Sequence, residues 1–145
     1  MHFFRYITAL ILLLLCYLTG FTQTIEVIVS NIRSNKGQLC VGLFESEEGF
    51  KKERPCWEKS YSKFQIEQEK VVLTICIPPG TYSLSVLDDE NGDGKMNYNM
   101  IGVPREGFGF SGYEHKGIRK PQFKQFQFKV EGVEKVIIEV VMKYF

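Results

Sequence analysis

Histidine is scarce: the 145 residues hold two, and one of them, His2, precedes a long apolar run. His115 is then the one imidazole of the folded part, so any Ser/His or Cys/His chemistry would have to run through it. With Glu114 beside it and no convergent partner, it reads as a solvated loop residue. No CxxC pair and no Cys/His spacing occurs, which argues against a zinc site and leaves Cys56 without a histidine to activate it. An excess of charge is missing too, with 18 basic residues facing 17 acidic ones. A neutral surface argues against nucleic acid and against electrostatic capture by anionic lipid. No helical apolar pattern lasts beyond two turns, so a helix bundle is excluded.

What is present begins with an export signature. Arg5 stands alone among residues 1–6, and residues 7–18 form an almost unbroken apolar run. A short basic start and about 12 apolar residues fit a secretory signal and are too short for a comfortable membrane span. Small residues around Gly20 and Thr22 place cleavage between Thr22 and Gln23. An uncleaved anchor is the competing reading, and a lipoprotein signal at Cys16 is disfavoured by Leu15 before it. Residues 23–145 are then a single domain of 123 residues (145 less 22), with 17 charges of each sign once Arg5 is gone. The compartment is expected to be periplasm, outer surface or medium.

Export exposes Cys40, Cys56 and Cys76 to oxidation, so one disulfide and one free thiol are expected, in any of three pairings. Strand parity favours Cys40 with Cys76, and three reduced thiols are the alternative. Strand patterns are frequent. Ile25, Val27 and Val29 alternate with polar neighbours, and so do Leu39, Val41 and Leu43. Phe50 sits in a polar stretch that fits one helical turn. Tyr61, Phe64 and Ile66 mark a weaker strand, and Val71, Leu73, Ile75 and Ile77 a strong one. Pro78, Pro79 and Gly80 predict a hairpin turn with positive φ at the glycine, leading into Tyr82, Leu84 and Val86. A second hairpin is predicted between residues 123–130 and 133–141 around Glu131 and Gly132. About seven short strands with turns between them point to an all-β, two-sheet sandwich, with a closed barrel as runner-up.

Residues 89–97 carry the most specific pattern. In a calcium loop of the EF-hand type, oxygen ligands recur at places 1, 3, 5, 7 and 9, with glycine at 6. Counting from Asp89 gives Asp89, Asn91, Asp93, the Lys95 backbone carbonyl and Asn97, with Gly94 sixth. Place 12, which wants a bidentate acid, is Met100. Affinity is therefore expected to be weak, or the last carboxylate to come from elsewhere, for which Glu106 is the candidate. Asp88 and Glu90 are placed for an outer shell. The competing reading is a metal-free turn in which Asx side chains bond to their own backbone. That reading explains the glycines but leaves Asp89 and Asp93 repelling each other. Further on, Phe108, Phe110 and Tyr113 alternate with glycines. They offer a stacking platform for sugars or a peptide, or else fold back as a plug on the sandwich. Phosphate cradling is excluded because no helix follows.

The order Gly37-Gln38, Val41-Gly42-Leu43-Phe44, Pro78-Pro79-Gly80-Thr81-Tyr82, Asp88-Asp89-Glu90-Asn91-Gly92-Asp93-Gly94-Lys95, Gly102-Val103-Pro104-Arg105-Glu106-Gly107-Phe108-Gly109-Phe110-Ser111 and Pro121-Gln122-Phe123 resembles the uncharacterised family DUF2141. The resemblance covers nearly all of the chain after the signal. It implies an exported bacterial protein with a transthyretin-like or immunoglobulin-like sandwich, and brings no function with it. Two positions depart from the family pattern, Asp88 where a histidine is usual and Asn97 where an aspartate is, and the second lowers the expected calcium affinity.

Together these features lead to an exported, non-enzymatic module of the cell envelope that binds a protein or glycan, its acidic loop stabilised by structural calcium. One alternative is a metal-assisted hydrolase working through Asp88, Asp89, Glu106 and His115. The other is a structural accessory domain without a ligand.

Overall fold

The structure is a computed structural model that describes residues 22–145 apart from 118 and 133, so the expected signal segment lies outside the described residues save Thr22. Among the described residues eight strands, one more than the seven or so predicted, form the two sheets that the alternation predicted. They are β1 (Gln23–Ser30), β2 (Gln38–Phe44), β3 (Trp57–Ser62), β4 (Val71–Ile77), β5 (Gly80–Asp89), β6 (Gly107–Phe110), β7 (Gln127–Val130) and β8 (Val136–Val141). One sheet has the order β4-β1-β8, with β1 antiparallel to β4 and parallel to β8. The other runs β3-β2-β5-β6, with β7 also paired to β5.

Alternation builds the core. Ile25, Val27 and Val29 of β1, Leu39, Val41 and Leu43 of β2, Leu84 and Val86 of β5 and Val140 of β8 are all at most 1% exposed. Each such side chain contributes about 1.5–3 kcal/mol when withdrawn from water, so this layer supplies the main driving force. The five-stranded sheet also carries a second apolar cluster, Phe44, Phe50, Phe108, Phe110, Phe123 and Phe126. Phe108 and Phe110 stand opposite Leu87 and Ser85, on the face of β5 turned away from Leu84 and Val86. A single-turn helix, α1 (Glu47–Lys51), capped by the Ser46 hydroxyl accepting from the Gly49 amide at 3.1 Å, lowers Phe50 onto that face.

Both predicted hairpins are instead crossings between sheets. β4 pairs with β1 and β5 with β2, so Pro78 and Pro79 turn a corner rather than close a hairpin. Gly80 is not in a positive-φ conformation; it begins β5, and a Cβ there would meet the Tyr82 ring at 3.0 Å. Likewise β7 joins β5 while β8 joins β1. Residues 123–126 form a 3-10 turn rather than strand, because Phe123 and Phe126, three apart, both drop into the aromatic cluster. The weak third strand lies earlier than predicted, and Phe64 is 97% exposed. Period-2 patterning states which face a residue takes but not which strand lies beside it.

No disulfide links Cys40, Cys56 and Cys76, which correct the expected bridge. Cys40 and Cys76 occupy the outward parity of strands in different sheets, so the core lies between them. Cys40 sits 3.5 Å from the Ser60 hydroxyl, and Cys56 donates to the Leu43 carbonyl at 3.3 Å.

At one end of the core, the inward parity of β5 continues past Val86 to Asp88, whose side chain is fully buried. Its Oδ1 pairs with the ammonium of Lys63, also fully buried, and its Oδ2 accepts from the Tyr144 hydroxyl at 2.6 Å. Lys63 donates in addition to the Ser34 carbonyl at 3.2 Å. Removing one member of such a pair strands the other charge in a dry site. Lys63→Met is therefore expected to cost about 3–5 kcal/mol in urea unfolding, with Lys63→Met/Asp88→Leu recovering most of the loss.

Candidate metal centre

Strand alternation sends Asp89, the next residue, to the opposite face from Asp88. There it is fully buried at the mouth of the loop that follows. Its Oδ1 accepts from the Gly92 amide at 2.9 Å and the Asp93 amide at 3.1 Å. Its Oδ2 accepts from the Gly94 amide and from Gln38 Nε2, both at 2.8 Å. Burial pushes the Asp89 carboxyl upward, but Gln38 and the three amides outweigh it and hold the carboxyl below its ordinary value. Gly94 adopts φ +74°, as a sixth-place glycine should.

The remaining loop side chains bond among themselves. Asn91 Oδ1 accepts from the Asp93 amide at 2.8 Å, and Asp93 Oδ1 from the Lys95 amide at 2.9 Å. Asn97 Nδ2 donates to Asp93 Oδ2 at 3.0 Å, while Asn97 Oδ1 takes the Asn91 amide group. These are the Asx turns of the metal-free reading. Met100, at place 12, is fully exposed.

Glu106, the candidate for the acid absent at place 12, comes to the same place. Glu106, immediately before β6, is 5% exposed, and its Oε2 accepts from the Asn97 amide at 3.0 Å. Asp89, Asp93 and Glu106 each offer a carboxylate oxygen within 4.8 Å of the other two. The Oε1 of Glu106 is buried without a hydrogen-bond partner. Burial, helped by the negative charges of Asp89 and Asp93, pushes the Glu106 carboxyl above its usual range. An orphaned carboxylate oxygen beside two other acids fits a divalent cation with oxygen ligands, which removes both the repulsion and the unmet acceptor. Asp89, Asp93 and Glu106 would hold it, with Asn91, Asn97 and the Lys95 carbonyl as neutral oxygens on the same loop.

A family model described as uncharacterised protein conserved in bacteria (DUF2141) matches residues 27–138. The chain belongs to the DUF2141 family. No curated protein and no solved structure matches it.

Other predicted residues of this DUF2141 chain are placed differently. Asp88 takes no part in the loop, being committed to Lys63. Glu90 turns to Arg33, whose Nε and Nη2 reach its two oxygens at 3.1 and 2.7 Å, and Ser34 adds a bond at 2.7 Å. Glu106 lines a cleft of about 580 Å³ with Asn91, Asn97, Tyr98 and Arg105, whereas His115 lines a separate one with Asn31 and Lys143. Burial and the Lys143 charge hold His115 below its ordinary pKa, and it packs against Phe108, Phe110 and Tyr113. Phe108 and Phe110 are covered rather than offered as a stacking platform, and Tyr113 is half-buried against them. They clad the flank of the sheet rather than plug an end. Sequence reasoning missed Lys63, Gln38 and Arg33. The signal for Lys63 was Asp88 itself, an acid on core parity that demands a buried cation.

Gly37 shows how closely the loop is seated. It has φ +70°, and a Cβ there would lie 2.0 Å from the Asp89 carbonyl oxygen. Gly94 has nothing within 4 Å of its absent Cβ. Gly94→Ala should thus cost only the left-handed backbone penalty of about 1–2 kcal/mol. Gly37→Ala should cost clearly more in the same urea titration.

Glu90 predicts a pH window. The Arg33 hydrogen bonds lower its pKa from 4.5 to about 2. Its stabilising contribution is full above pH 4.5 and disappears as pH falls toward 2. The stability difference between the protein and Glu90→Gln should be constant above that window and shrink through it.

Proposed function

We propose that this chain is an exported, non-enzymatic β-sandwich module of the bacterial cell envelope, binding a protein or glycan, whose acidic loop is stabilised by calcium. The observation that carries the calcium reading is the buried, unpartnered Oε1 of Glu106 beside Asp89 and Asp93. Export is supported by the basic start and the short apolar run of residues 7–18. A binding role is supported by the open cleft along the loop, where Tyr98 and Arg105 join the amides of Asn91 and Asn97 in a lining suited to a protein or glycan.

The calcium role is structural. Asp89 already takes four donors, so the loop keeps its shape through hydrogen bonds, and the cation mainly relieves repulsion at Glu106. Hydrolysis is disfavoured because Glu106 and His115 line different clefts and Asp88 is sealed in an ion pair. Among the described residues no helix is long and apolar enough to cross a membrane.

Calcium titration by calorimetry, with melting curves in calcium and in chelator, tests the reading. Extracellular modules bind with Kd of about 0.1–1 mM, so 10-fold excess calcium should add about 1.4 kcal/mol, or roughly 5 °C in Tm. Glu106→Gln should abolish the calcium-dependent rise and make the chelated protein more stable than the parent at neutral pH. A melting temperature indifferent to chelator, with no heat of binding at millimolar calcium, would refute it.

A further inference from the structure

Lys63 and Asp88 meet in a site closed to solvent, and their other partners are arranged unequally around them. Both side chains are fully buried and in direct contact. Asp88 Oδ2 accepts from the Tyr144 hydroxyl at 2.6 Å, whereas Oδ1 has no partner besides the Lys63 nitrogen it touches. Lys63 Nζ carries three hydrogens and has two partners, Asp88 Oδ1 and the Ser34 carbonyl at 3.2 Å. The ion pair therefore leaves bonding capacity unused in a dry site, where that is most costly.

The same atoms are set up for condensation. An amine nitrogen held by packing against a carboxyl group is an intramolecular nucleophile, and fixed contact replaces the encounter that amide formation lacks in water. We propose that Lys63 and Asp88 join through an amide between Nζ and Cγ, a cross-link that forms within the folded chain. The reaction balances inside the pair. One Nζ proton passes to Oδ1, and the freed lone pair on Nζ attacks Cγ. A second Nζ proton follows to Oδ1, the Cγ–Oδ1 bond breaks and one water leaves, while the third hydrogen stays on Nζ. In the tetrahedral intermediate the negative charge falls on Oδ2, the oxygen that the Tyr144 hydroxyl already faces. In the product Oδ2 is the amide oxygen and keeps Tyr144, and the remaining N–H keeps the Ser34 carbonyl. Both demands of the amide are met by partners in place, and no charge stays buried.

The bond ties the turn after β3 to the end of β5 across β2, whose Leu39 pairs with both Tyr61 and Asp88. Cys40, Cys56 and Cys76 provide no such tie. In joined protein, Lys63→Met loses the cross-link as well as stranding Asp88, so the loss stated for the ion pair is a minimum. The double variant then restores the electrostatic part alone. The proposal goes beyond the calcium reading and uses none of its ligands.

Mass spectrometry tests it. The full chain is expressed and purified folded, then denatured, reduced and digested at glutamate. Residues 59–67 and 70–90 should be recovered as one branched species, lighter by one water than the two peptides summed. The two segments are not contiguous in sequence, so no missed cleavage has that mass, and fragmentation should place the junction on Lys63 and Asp88. Lys63→Met/Asp88→Leu, its folding checked by its urea transition, should give the full sequence mass. Tyr144→Phe should lower the joined fraction several-fold at a fixed time after folding. Recovery of residues 59–67 and 70–90 only as separate peptides from the folded parent would overturn the proposal. So would a lost water confined to residues 91–106, where cyclisation of Asp93 onto the Gly94 amide releases the same mass. Calcium enters none of these measurements, so their failure would leave the metal reading untouched.

Discussion

The ammonium of Lys63 against the carboxylate of Asp88 is the constraint on which the loop end of the sandwich depends. Both side chains are fully buried, and each is tolerable there only because of the other. The pair joins the corner after β3 to the last turn of core on β5, and the Tyr144 hydroxyl brings the chain terminus to the same point. Tyr144 in turn accepts from the Arg33 amide at 3.2 Å and carries the Arg33 guanidinium 4.5 Å above its ring. Arg33 then grips Glu90. Four separated segments thus converge on one buried charge pair.

The geometry of the acidic loop follows from that anchor. With Asp88 pinned inward, the alternation of β5 leaves Asp89 no choice but the outer face, opposite Gln38 in the register of β2. Glu90 is pulled aside by Arg33 and Ser34. Consecutive acids therefore take three unlike jobs: ion pair in the core, cap of the loop, and surface clasp. Reading them as one acidic patch would have merged roles that the strand separates.

Strand parity was legible in the sequence because a buried face imposes a period of two on side-chain polarity, and Ile25 to Val29 or Val71 to Ile77 show it without tertiary help. Strand partnership was not. Val71–Ile77 and Gly80–Asp89 are neighbours in sequence and separated by the core in space, since a proline corner suits a crossing between layers as well as a hairpin. Much of the site was legible: Asp89, Asp93 and Gly94 from their spacing, and Glu106 from the ligand missing at place 12. The partners that seat it were hidden. Gln38 and Lys63 lie about 50 and 25 residues from the aspartates they serve, a distance in sequence that only the folded chain closes.

Hydrogen bonding and charge make separate demands on this loop. Asx and amide contacts fix the backbone from Gly92 to Lys95 before any ion is considered, and they place three carboxylates within 4.8 Å. Two of those acids have donors enough: Asp89 has four, and Asp93 has the Lys95 amide and Asn97. Glu106 has only the Asn97 amide, on Oε2, and its buried Oε1 has no hydrogen-bond partner. The repulsion is therefore concentrated on a single oxygen rather than spread around the loop. A cation bound there would change the energy of a conformation that hydrogen bonds already hold, so its signature would fall in stability rather than in folding itself.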